Sequence, residues 1–121
     1  MEMKEKIARL LKEVGVCPSS LGWRYFCDAI LMMTHDEELR YVGITAMYEI
    51  IGKKYGVTRF SVERDMRYEL CGLLERMPVD VKYDIFRNSV NGSITNREFV
   101  GALAQVLMTE PNNPIMKRIG A

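Results

Sequence analysis

No stretch of the 121 residues approaches the ~18 consecutive apolar residues of a membrane span, and no membrane partner is expected. The start, Met1-Glu2-Met3-Lys4-Glu5-Lys6, is charged and leads into an amphipathic pattern, which excludes a secretory signal and points to a cytoplasmic protein. Cysteine is scarce. Cys17, Cys27 and Cys71 are odd in number, widely spaced and form no C-x-x-C pair, so neither a disulfide framework nor a dithiol or zinc centre is expected. They read as reduced and mostly buried thiols. Histidine occurs once, and the chain has no G-x-S-x-G, no P-loop and no pair of carboxylates in a recognisable catalytic frame. An enzyme is therefore not expected, nor a cofactor, and no small-molecule substrate is evident. His35-Asp36-Glu37-Glu38 resembles a metal cluster only superficially, because consecutive residues fan around a helix instead of converging on one ion.

Net charge is nearly absent too: 17 basic against 16 acidic residues leave a formal +1. Any nucleic-acid signal must come from local distribution. Residues 21–50 carry two basic and five acidic groups, whereas 51–76 carry six and four. Within the latter, Lys53, Lys54, Arg59, Arg64 and Arg67 face only Glu63 and Asp65, a net +3 over fifteen residues. This is a modest basic stripe on a neutral protein.

What is abundant is apolar periodicity, 48% apolar with 27% charged, in a chain of a length that one domain fills. Ile7, Leu10, Leu11 and Val14 mark one face of a first helix that Gly15 stops. Trp23, Phe26, Ile30 and Met33 do the same for a second, about Leu21 to Met33. Thr34-His35-Asp36-Glu37 fits a capping box and predicts a short acidic helix. Thr45 to Tyr55 reads as the next helix, with Met47, Ile50 and Ile51 apolar and Lys53-Lys54 at the end where positive charge suits the macrodipole. Gly56 breaks it. Thr58 is the N-cap of a long helix in which Val62, Met66, Leu70, Leu73 and Leu74 recur on one face until Pro78. Two helices meeting across a short Gly-containing turn are a helix-turn-helix.

A short helix from about Val79 to Arg87, a turn at Asn91-Gly92, and a capping box at Thr95–Glu98 follow. The box opens a last helix in which Phe99, Leu103, Val106 and Leu107 face inward. The expected fold class is all-α, about six helices without clear strands, containing a helix-turn-helix at about 45–75. Residues 1–110 form the single helical domain, and 111–121 a flexible tail.

In the second helix of the motif, Val62, Met66 and Leu73 cluster on one side while Arg64, Arg67 and Tyr68 point away. Such arginines can contact guanine bidentately, and Glu63 can accept from cytosine N4 or orient an arginine. Lys53, Lys54 and Arg59 suit phosphate contacts. Phe60 can touch a thymine methyl, stack, or pack half-buried. Equally, a helix face rich in Arg and Glu is most often a solvated surface with i,i+4 pairs such as Glu63 and Arg67.

Several segments together resemble the C-terminal DNA-binding effector domain of the stage-zero sporulation protein A family of response regulators. They are Leu11–Val16, Gly22–Ile30, Lys53-Lys54-Tyr55, Val62-Glu63-Arg64 with Arg67, and Thr95-Asn96 with Glu98-Phe99. The resemblance covers roughly Ile7 to Leu107. It implies a helical effector whose recognition helix enters the major groove of double-stranded DNA, with Glu63, Arg64 and Arg67 reading bases. Lys53, Lys54, Thr58, Arg59 and Ser61 would contact the backbone, and tandem copies would sit on repeated sites. The 121 residues are filled by the effector alone, so the family's receiver, with its calcium and aspartyl-phosphate chemistry, is not expected here. Asp65 adds an acid beside the reading face, and Ser61 stands where the family usually has arginine. The alternative is a protein-interaction module that keeps the fold and modulates a full-length relative without binding DNA.

Overall fold

The computed structural model describes residues 1–36, 38–39, 43–86 and 93–120, and among these there are helices and no strands. Eight helices are bounded: α1 (Met3–Val14), α2 (Leu21–His35), α3 (Ile44–Tyr55), α4 (Arg59–Leu70), α5 (Leu73–Arg76), α6 (Val79–Phe86), α7 (Asn96–Thr109) and α8 (Pro114–Arg118). None is long and apolar enough to cross a membrane.

The apolar stripes became buried faces, except that Ile50 of the expected third stripe is 48% exposed and Trp23 of the second is only partly buried. Ile7, Leu10, Leu11 and Val14 of α1 are all buried, and Gly15 ends the helix at φ 103° with its N–H on the Lys12 carbonyl. That left-handed cap is strained for any residue with a Cβ. Helix α2 is the centre of the molecule, packed against α4 and α7 and flanked by α1 and α3. Its Phe26 meets Phe99 of α7 at 5.0 Å between ring centroids, and Phe99 stacks on Phe86 of α6 at 5.6 Å. At Gly22 the approach of α2 to α4 is so close that a Cβ would lie 2.9 Å from the Asp65 carbonyl oxygen.

The structure corrects four expectations. The long helix after Thr58 is two helices. Cys71 takes an extended conformation and Gly72 a left-handed one, and the Arg76 guanidinium folds back to donate to the carbonyls of Cys71 and Glu69. Leu70, Leu73 and Leu74 are buried on both sides of this corner, so their apolar pattern runs on through it. Thr34 is not an N-cap but the penultimate residue of α2, its hydroxyl donating to the Leu31 carbonyl at 2.8 Å. The Asp36 carboxylate accepts from the Glu38 N–H; the short acidic helix expected here runs into residues 37 and 40–42, which lie outside the described residues.

Third, the expected tail contains α8, with Ile115, Met116 and Ile119 buried. Asn113 caps it by accepting from the Ile115 N–H, and Pro114 fits the first turn, where its missing N–H costs nothing. Fourth, Cys17 and Cys71 are exposed and only Cys27 is half-buried. The capping box at Thr95 is present in both halves, and Leu107, expected inside, is partly buried against the core. Arg87 and the Asn91-Gly92 turn lie outside the described residues.

Candidate nucleic-acid interface

The helix-turn-helix is built from α3, a three-residue turn and α4. Gly56 adopts φ 70°, which reverses the chain after Tyr55, and the Val57 N–H returns to the Gly52 carbonyl at 2.9 Å. Gly52 is required by packing: a Cβ there would stand 2.6 Å from the Val57 carbonyl oxygen. Thr58 then caps α4, its hydroxyl oxygen accepting from the Ser61 N–H at 3.1 Å and donating to the Ser61 hydroxyl. Met47 and Ile51 of α3 and Val62 and Met66 of α4 are buried between the helices and the rest of the core.

The opposite face of α4 is open to solvent. Arg64 and Arg67 are exposed there, with Phe60 and Tyr68 beside them. Glu63 accepts a hydrogen bond from Arg67 Nε at 2.7 Å, one turn away on the same helix. That bond is the main reason the Arg67 guanidinium holds its proton even more firmly than usual. The bond uses Nε, and the Arg67 guanidinium also lies over the Tyr68 ring, its central carbon 5.1 Å from the centroid. Arg64 makes a longer contact, 3.4 Å, from Nε to Asp65. Asp65 itself is largely covered, its side chain 12% exposed on the flank of α4 that packs on α2. Asp65 is thus covered from solvent while its carboxylate stays within 3.4 Å of Arg64 on the outer face.

Around the turn, Lys53, Thr58, Arg59 and Phe60 line a shallow open groove of about 420 Å³ together with Glu49 and Val57. Arg59 is the first residue of α4, where a cation opposes the helix macrodipole, and it leans on Glu49 at 3.4 Å. Lys54 behaves differently. Its ammonium is bound to Asp28 of α2 at 3.0 Å, the chief cause of its raised pKa, and Tyr55 donates to the same carboxylate at 2.6 Å. Lys54 therefore pins α3 to α2, while Lys53 carries no ion pair among the described residues.

Of the residues singled out from sequence, Glu63, Arg64 and Arg67 come together on one face; Lys53, Thr58 and Arg59 gather at the turn; Ser61 is half-buried and bonded to Thr58. Sequence reasoning missed Asn96. Its buried side-chain amide donates to the Tyr48 hydroxyl at 3.0 Å and to the Glu63 carbonyl at 3.2 Å, joining α7, α3 and α4 at one point. Burial is the main reason the Tyr48 phenol holds its proton above the ordinary range. The Thr95 capping box located Asn96 on a helix, but nothing local indicates that it reaches residues 33 and 48 positions away.

Residues 7–107 match the family model described as sporulation initiation factor Spo0A C terminal. The chain belongs to this family. Its members are DNA-binding effector domains of transcription factors and are not enzymes. The matched region takes in all of α1 from Ile7 onward and continues into α7, so the whole helix-turn-helix lies inside it, whereas α8 lies beyond.

Proposed function

We propose that this Spo0A C-terminal domain is a sequence-specific transcription regulator that lays α4 in the major groove of double-stranded DNA. The observation that carries the reading is the outer face of α4, where Arg64 and Arg67 stand exposed opposite buried Val62 and Met66. An arginine so placed can donate two parallel hydrogen bonds to O6 and N7 of guanine. Glu63 would act through Arg67, holding its guanidinium plane, or accept directly from a cytosine amino group. Lys53 and Arg59, with the Thr58–Ser61 turn, flank the first turn of α4, where backbone N–H groups and cations suit a phosphate. Lys54 would reach the backbone only by leaving Asp28. Copies in tandem on repeated sites would raise occupancy without any large interface in solution.

The test starts with duplexes enriched by this protein from a randomised pool, followed by fluorescence anisotropy on the enriched and a scrambled duplex between 50 and 200 mM salt. The expected result is a preference for the enriched duplex that Arg64→Ala or Arg67→Ala each reduce roughly 5- to 150-fold. Lys53→Ala should instead weaken both duplexes alike and lower the salt slope by about one. Equal weak binding to both duplexes, insensitive to either arginine, would contradict the proposal.

A further inference from the structure

Phe60 is the one phenylalanine of four that the fold does not bury: it is 69% exposed, against 0%, 3% and 0% for Phe26, Phe86 and Phe99. It occupies the second position of α4, in the turn that a recognition helix presents to base edges. Successive residues of a helix rotate by about 100°, so Phe60, Arg64 and Arg67 fall within a wedge of about 60°, on the side away from Val62 and Met66. The ring is thus the third member of the same stripe. The Arg59 guanidinium lies over the ring, its central carbon 4.9 Å from the centroid.

An aromatic ring offers no hydrogen bond to a base edge, and it gains nothing from a phosphate. The one apolar feature that the major groove presents is the 5-methyl group of thymine. The cations on either side, Arg59, Arg64 and Arg67, favour a polyanion over an apolar protein surface as what covers the ring. Four helical residues rise about 6 Å, and successive bases are about 3.4 Å apart along a strand. We propose, building on the DNA-reading function above, that Phe60 is a specificity-determining residue that packs on the methyl group of a thymine. That thymine lies one or two base pairs from the base that Arg64 contacts.

The test replaces each thymine of the enriched duplex singly by deoxyuridine, which removes the methyl and keeps the base pair. Binding of the full chain, of Phe60→Ala and of Phe60→Leu is then measured by anisotropy. The side chain is exposed, so neither variant disturbs the core. One thymine should stand out, its methyl worth about fourfold in affinity to the wild-type chain. Phe60→Ala should bind the thymine duplex about fourfold more weakly and be indifferent to the uridine exchange. Phe60→Leu should keep most of the discrimination, and Arg64→Ala should lower affinity overall without changing the ratio. Enriched, arginine-dependent binding with no methyl-sensitive position would overturn this inference alone. So would the same methyl effect in Phe60→Ala. Failure to enrich any sequence would overturn the DNA-reading function and this inference together.

Discussion

Glu63 and Arg67 illustrate how a surface pair can serve binding better than stability. Exposed i,i+4 ion pairs do little for folding, but a guanidinium already held at 2.7 Å by Glu63 has less rotamer freedom left to lose on docking. The pair was legible in the sequence as either a solvated salt bridge or a reading couple; the structure shows the ion pair, and the reading role belongs to the proposed function. The thiols show the opposite case, since burial is a tertiary property that three scattered cysteines do not encode. Hydrogen bonding from Ser19 lowers the pKa of exposed Cys17, whereas burial pushes Cys27 up to about 11. The thiolate is the nucleophile, so native protein treated with iodoacetamide at pH 8 should be alkylated first at Cys17 and last at Cys27 by peptide mass spectrometry. Cys27 reacting first would contradict the packing of α2. Folding favours the protonated form of Cys27, so its contribution to stability is full below the ordinary thiol pKa of 9.0 and fades as pH rises through about 11.

At the scale of elements, the helix-turn-helix rests on one backbone approach. Gly52→Ala would drive a Cβ into the Val57 carbonyl oxygen, 2.6 Å away, and neither backbone segment can yield as a flexible side chain would. The expected cost is about 1–3 kcal/mol, read as a lower urea midpoint with unchanged slope; an unaltered midpoint would show that the turn is looser than described. The helices themselves were plain in the sequence, because α1, α2, α3, α4 and α7 each carry a 3.6-residue apolar stripe and three of their boundaries carry Gly15, Gly56 or Thr95. Where reading failed, a local signal was ambiguous. Leu70, Leu73 and Leu74 keep one apolar register through the Cys71-Gly72 corner, so periodicity alone joins what the left-handed Gly72 separates. Thr34 can cap a helix or bond back within one, and its bond to Leu31 shows the second. Of the candidate interface, the exposed arginines and the Thr58 cap were legible; the Asn96 bridge to Glu63 and the Lys54–Asp28 pair were not, since both partners lie far off in sequence.

The whole molecule is a core centred on α2 with its ends tied together. Helix α8, beyond the family match, packs on α1 and α6, and Arg9 of α1 donates to the Ile119 carbonyl at 2.9 Å. Arg118 pairs with Asp80 of α6, and the Asn113 side chain reaches the Asp84 carbonyl at 3.4 Å. Polar Pro-Asn-Asn-Pro composition obscured this segment, although Asn113-Pro114 is a helix start and Ile115, Met116 and Ile119 share one side. Ile115→Ala should therefore cost about 2–5 kcal/mol of stability, measured by denaturant unfolding; a loss below about 0.5 kcal/mol, the range of surface substitutions, would show that α8 is not part of the core. The same architecture leaves α4 with one face in the core and the other free to enter a groove, and the proposed DNA reading depends on that placement. It is tested most directly by exchanging single guanines of the enriched duplex for 7-deazaguanine, which removes the N7 acceptor from the major groove, or for inosine, which removes the amino group from the minor groove. 7-Deazaguanine should weaken wild-type binding at least fivefold at one or more positions, with the effect lost in Arg64→Ala or Arg67→Ala and with inosine nearly silent. Sensitivity to inosine with indifference to 7-deazaguanine would contradict a recognition helix in the major groove.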